Sequence, residues 1–173
     1  MSSVDFSALG GAPLELGDWQ PGQVFHGTQV AAPAIKIVRT VDWTMPTTAQ
    51  TQLFLESTVF AQGGMSNGGG GGVPSFIQLP AVAGVYAVLG QIAYKPNATG
   101  ERWAVLTSTA LGSIGFTTAL AGGGVLDDAI VQAAAIVRLP ASDQLQLSGF
   151  QSSGGGLVID HTATSFAAAL LST

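Results

Sequence analysis

The chain has 173 residues, which suits one domain at the usual ~100–200 residues each, and only 9% of them are charged against about 25% in an ordinary soluble domain. Its formal net charge is −5, and the five basic residues Lys36, Arg39, Lys95, Arg102 and Arg138 are scattered. That spacing excludes the clustered lysine and arginine on which phosphate-backbone binding depends. No apolar run approaches the ~20 residues of a spanning helix, so membrane insertion is not expected. With no cysteine there is no disulfide framework and no thiolate metal site. Glycine, serine, threonine, alanine and glutamine fill the places of charges. A domain with so little surface charge is expected to hide part of that surface against copies of itself or a larger assembly.

The first residues carry no basic segment followed by an apolar run, and this predicts no secretory leader. Residues 1–34 hold Pro13, Pro21 and Pro33 around isolated apolar side chains. They read as an extended docking arm, with Phe6, Leu9, Leu14 and Trp19 as its anchors. From residue 35 to 173 the pattern is all-β: short runs rich in Val, Ile, Leu, Phe and Thr, broken by Gly, Pro, Asn and Asp. Strands are predicted at 35–43, 50–60, 76–79, 85–94, 102–109, 129–139, 144–151, 157–160 and 165–171. In the fifth, the two-residue period puts Trp103, Val105 and Thr107 on one face and Arg102, Ala104, Leu106 and Ser108 on the other. The strands at 85–94 and 129–137 are apolar or small on both faces, so each is expected to cover a core with one face and a neighbouring subunit with the other. Residues 63–72, 122–124 and 154–156 are glycine-rich and read as loops.

Catalytic chemistry is thinly represented. His26 and His161 are the two histidines, far apart and without a ligand cluster around either, so no metal and no cofactor are expected. Asp160-His161 with Ser165 is the nearest thing to a hydrolytic set, yet neighbouring strand residues point to opposite faces. Gly112-Ser113-Ile114-Gly115 lacks the spacing of a nucleophile elbow. Asp127-Asp128 could ligate calcium by oxygen, but a solvated acidic pair is the simpler reading. The glycine runs lack the Lys-Ser/Thr ending of a phosphate-binding loop. Trp43, Tyr94 and Trp103 could form a glycan-stacking surface or serve as core anchors. The chain therefore reads as non-enzymatic.

The heptapeptide Pro80-Ala81-Val82-Ala83-Gly84-Val85-Tyr86 resembles the proline and Gly-Val-Tyr that open a central strand in the tumour-necrosis-factor and complement globular-head superfamily. Gly90-Gln91-Ile92-Ala93-Tyr94 and the Asn97-to-Arg102 hairpin follow in the same order. Ile136-Val137-Arg138-Leu139 then leads to Ser142-Asp143-Gln144-Leu145-Gln146-Leu147, which is similar to the family's leucine, aspartate turn and alternating strand. Ser165-Phe166-Ala167-Ala168-Ala169-Leu170-Leu171 resembles its closing strand. Ser142 stands where the family more often has glycine, and neither a collagen-like stalk nor a heptad shaft is present.

The resemblance covers residues 35–171 and implies a jelly-roll β-sandwich of about ten antiparallel strands. It also implies a compact, bell-shaped homotrimer, with the strands at 35–43, 85–93, 129–137 and 165–171 in the sheet at the three-fold axis. Interface positions expected from it are Ile37, Val85, Ala87, Leu89, Ala133, Ala135, Phe166 and Ala168. Domains of this kind occur in bacteriophage tail proteins, which implies a viral structural protein displayed on the virion surface after assembly in the host cytoplasm. The leading expectation is a minor tail protein contributing to host adsorption and receptor binding, held to other virion proteins by the arm. The alternatives are a capsid decoration protein that stabilises the shell, and a lectin-like module touching host glycan through Tyr94 and Trp103.

Overall fold

The structure, a computed structural model, describes residues 32–69, 72–120 and 128–173. The docking-arm residues Phe6, Leu9, Leu14 and Trp19 lie outside them, as do His26 and Asp127. Twelve strands are present among the described residues, and no helix: β1 (Ala34–Val38), β2 (Trp43–Met45), β3 (Thr51–Gln52), β4 (Ser57–Gln62), β5 (Ser66–Asn67), β6 (Phe76–Gln78), β7 (Gly84–Tyr94), β8 (Glu101–Ser108), β9 (Gly112–Leu120), β10 (Ala129–Leu139), β11 (Gln144–Gln151) and β12 (Leu157–Ser172).

They form two six-stranded antiparallel sheets. Sheet A runs β10-β7-β12-β1-β4, with β2 also on β12, and sheet B runs β5-β6-β11-β8-β9, with β3 also on β11. The four strands expected in one sheet are thus neighbours in sheet A. Two predicted segments at its centre, 157–160 and 165–171, are one strand whose register with β7 shifts between Asp160 and Ser165. The predicted strand at 35–43 is instead two, β1 and β2, and 50–60 divides into β3 and β4. Strand β9 was not expected. Its two glycines, Gly112 and Gly115, mask the alternation of Ile114, Phe116 and Thr118.

The period of two decides which side chains meet between the sheets. Ile35 and Ile37 of β1, Tyr86, Val88 and Ile92 of β7, Val131 and Ala133 of β10, and Phe166 and Ala168 of β12 point inward. They meet Ala104 and Leu106 of β8 and Leu145 and Leu147 of β11, and all are at most 3% exposed. Gly90 belongs to this inward row because a Cβ there would lie 2.5 Å from Leu147 Cδ1 and 2.9 Å from Leu106 Cδ2. The missing side chain lets two leucines of sheet B reach the backbone of sheet A.

Four of the expected interface positions are therefore core positions. Ile37, Ala133, Phe166 and Ala168 face sheet B and are buried by it. Ala135 is on the same inward side, packed against the core. Alternation leaves Val85, Ala87 and Leu89 on the opposite face.

Candidate functional surfaces

The outer face of sheet A is built in transverse rows. Register aligns Ile136, Ala87, Ala169 and Ala34 across β10, β7, β12 and β1, and beside them Ala134, Leu89, Ala167, Lys36 and Phe60. Alanine side chains end one carbon above the sheet, so Ala87, Ala169 and Ala34 form a floor, while in the second row Lys36 stands between Ala167 and Phe60. Ile136 at 74% exposure, Leu89 at 44% and Phe60 at 47% stand up from it. Together they line an open groove of about 460 Å³. A third row is polar: the Gln132 amide donates to Gln91 Oε1, and Gln91 Nε2 donates to Ala163 O at 2.6 Å. Exposed Arg138 is the register partner of Val85, beyond the apolar rows.

Past the glutamine row lies a charged cluster made by four chain segments: the turn before β2, the segment after β7, the segment before β10, and β12. Asp160 is 5% exposed. Its Oδ2 accepts from Lys95 Nζ at 2.5 Å, and its Oδ1 accepts from Thr162 N and Oγ1, both at 2.8 Å. These bonds hold its carboxyl far below the usual carboxylate range, and the same contact with Asp160 raises Lys95. Burial, then the neighbouring Asp160, push Asp128 up.

His161 is oriented by Asp42, not by its sequence neighbour. Its Nδ1 is 2.7 Å from Asp42 Oδ1 and 3.9 Å from Asp160 Oδ1. The His161 ring and backbone N–H lower the Asp42 carboxyl. No hydroxyl among the described residues hydrogen-bonds the ring, so Ser165 completes no hydrolytic set. Asp42, Asp160 and His161 bring their ligand atoms within 4.8 Å of one another. Both oxygens of Asp160 are already engaged: Oδ1, the one nearer the His161 ring, by Thr162, and Oδ2 by Lys95. No signal in the sequence marks Asp42 as the partner of a histidine 119 residues away.

Tyr94 and Trp103 have opposite fates. Tyr94 is wholly buried, and its hydroxyl donates toward the carbonyls of Trp103 at 2.8 Å and Phe150 at 3.1 Å. Burial raises its phenol pKa strongly. Tyr94 is thus a core anchor, inaccessible to glycan or receptor, because the register of β7 turns it toward sheet B. Trp103 lies half-buried on the outer face of sheet B. It stacks on Phe150 of β11 with centroids 4.1 Å apart, and meets Phe116 of β9 edge-on at 5.6 Å. Its indole N–H donates to Glu101 Oε2 at 3.2 Å. Trp43 packs edge-on against Phe54 at 5.2 Å, beneath the Arg39 guanidinium.

No protein-family model matches the sequence, and no curated protein sequence does. Solved structures do resemble it in three dimensions. Murine APRIL at pH 5.0 superposes with a TM-score of 0.60 at 10% identity, over 81% of this chain and 99% of that one. At pH 8.0 the values are 0.59 and 12%, over 80% and 98%. Eiger TNF from S. frugiperda gives 0.57 at 14% identity, over 82% and 94%. At such identities the likeness is one of fold, and the fold is the tumour-necrosis-factor type of jelly-roll sandwich.

Proposed function

We propose that the chain is a non-catalytic structural subunit that assembles as a homotrimer through the outer face of sheet A and is displayed on a bacteriophage particle. The observation that carries the assembly is the alanine floor flanked by exposed Ile136, Leu89 and Phe60. An apolar patch of this kind on an otherwise folded domain marks an association site, and here a second copy supplies both the small residues and the knobs to fill them. The 9% charged composition points the same way. The proposed surface comprises Val85, Ala87 and Leu89 with Ala134, Ile136 and Ala167, all on the outer face of sheet A. The particle context rests on the resemblance to heads of phage tail proteins, with the minor tail role as the leading reading.

Native mass spectrometry tests the assembly. Three times the 17.4 kDa chain mass is expected, and a monomer at micromolar concentration overturns it. Immunogold labelling of purified virions tests the location. Label at the tail end supports adsorption, label spread over the head makes the subunit a capsid decoration protein, and unlabelled particles overturn the particle reading.

A further inference from the structure

The aromatic row on sheet B is left unexplained by self-assembly through sheet A, because it lies on the opposite side of the sandwich. Phe150, Trp103 and Phe116 come from three adjacent strands, β11, β8 and β9, so the row spans about two inter-strand spacings of ~4.8 Å. None of the three rings belongs to the core, and Phe116 is 55% exposed. Register places Thr118 opposite Trp103 on the same face, with its side chain exposed.

We propose that this row is a stacking platform for a neutral oligosaccharide. A sugar ring presents a face of C–H bonds, weakly positive, that suits the negative face of an aromatic ring, and a rim of hydroxyls that need hydrogen-bond partners. Glu101 supplies the strongest such partner: one carboxylate oxygen is bound to the indole N–H, which fixes the group beside the ring, and the other faces no donor among the described residues. No basic side chain shares this face. Arg102, next in the chain, is turned inward and fully buried, so an acidic glycan would meet only the Glu101 charge.

The test is titration of the native oligomer with a panel of uncharged gluco-, galacto- and manno-configured trisaccharides, followed by the ¹⁵N indole resonance of Trp103. Saturable displacement of that resonance by at least one panel member is expected. Trp103→Ala and Phe116→Ala should each weaken binding at least tenfold, while Phe116→Tyr retains it and native mass stays unchanged in all three. A panel without a binder, or binding indifferent to both alanine variants, overturns the proposal, as does preference for a lysine-rich peptide. A change in native mass on either substitution would identify the row as a contact between copies and overturn it too. Native mass is read on the same samples, so failure here is distinguishable from failure of the assembly.

Discussion

Ala87 of β7 and Ala169 of β12 are direct register partners in the middle of sheet A, and neither side chain rises high enough to close the groove between Ile136 and Phe60. A charge placed on this floor would have no partner inside a contact between copies. Ala87→Glu is expected to give a folded monomer, seen as a single-chain mass with an unchanged circular dichroism spectrum. Ala135→Glu, one strand away but facing the core, should instead lower stability by about 3 kcal/mol or more. Denaturant unfolding distinguishes the two outcomes, and a folded Ala135→Glu of unaltered stability would show the faces to be reversed.

Ser142 adopts a φ of 61° in the turn between β10 and β11. The conformation is held from both sides: its N–H donates to Pro80 O at 2.8 Å, and its carbonyl accepts from Gln78 Nε2 at 2.8 Å. A left-handed backbone costs an L-residue about 1–2 kcal/mol, partly offset in glycine by the entropy of its unfolded state. Ser142→Gly should stabilise the protein by about 0.5–1 kcal/mol, measured by urea unfolding. Ser142→Val should destabilise it.

Asp143, beside that turn, is 4% exposed. Burial pushes its carboxyl up, but donors from Ser108 Oγ at 2.5 Å, Thr109 Oγ1 at 2.6 Å and the backbone of Gln144 and Ala110 prevail and hold it below its ordinary value. The unfolded state therefore binds the proton more readily. The stabilisation is present above the unfolded value of 3.8 and is lost as pH falls through the folded one. The stability difference between wild type and Asp143→Asn should be large at pH 7 and shrink below about pH 4, as thermal unfolding across that range would reveal.

Tyr94→Phe removes the hydroxyl that serves the carbonyls of Trp103 and Phe150. Loss of a buried donor should cost about 1–3 kcal/mol without altering native mass or trisaccharide binding. Loss of sugar binding at unchanged stability would instead return Tyr94 to the surface.

The sequence by itself determined the sandwich. The two-residue period over 102–108 is local, and hydrophobic burial enforces it whatever the partner strand, so that strand was legible from its own residues, whereas the grouping of 35–43, 85–93, 129–137 and 165–171 in one sheet was implied by the family resemblance. At Ser142 the sequence showed only a departure from the glycine of the resembling family, and the left-handed backbone there is a finding of the structure. What only the tertiary structure decided was direction and distant neighbours. A strand that is apolar on both faces carries no mark of which face meets the second sheet, and so Ile37, Ala133, Ala135, Phe166 and Ala168 changed sides while Ala87 and Leu89 did not. Tyr94 and Trp103 look alike as aromatic residues near strand ends, yet register buries one and leaves the other half-buried on the outer face of sheet B. Asp42 with His161, and Phe116 with Trp103 and Phe150, are brought together by chain crossings that local sequence does not encode. Such pairings are fixed only when the whole core closes, because the free energy that selects them comes from burial shared among all the strands.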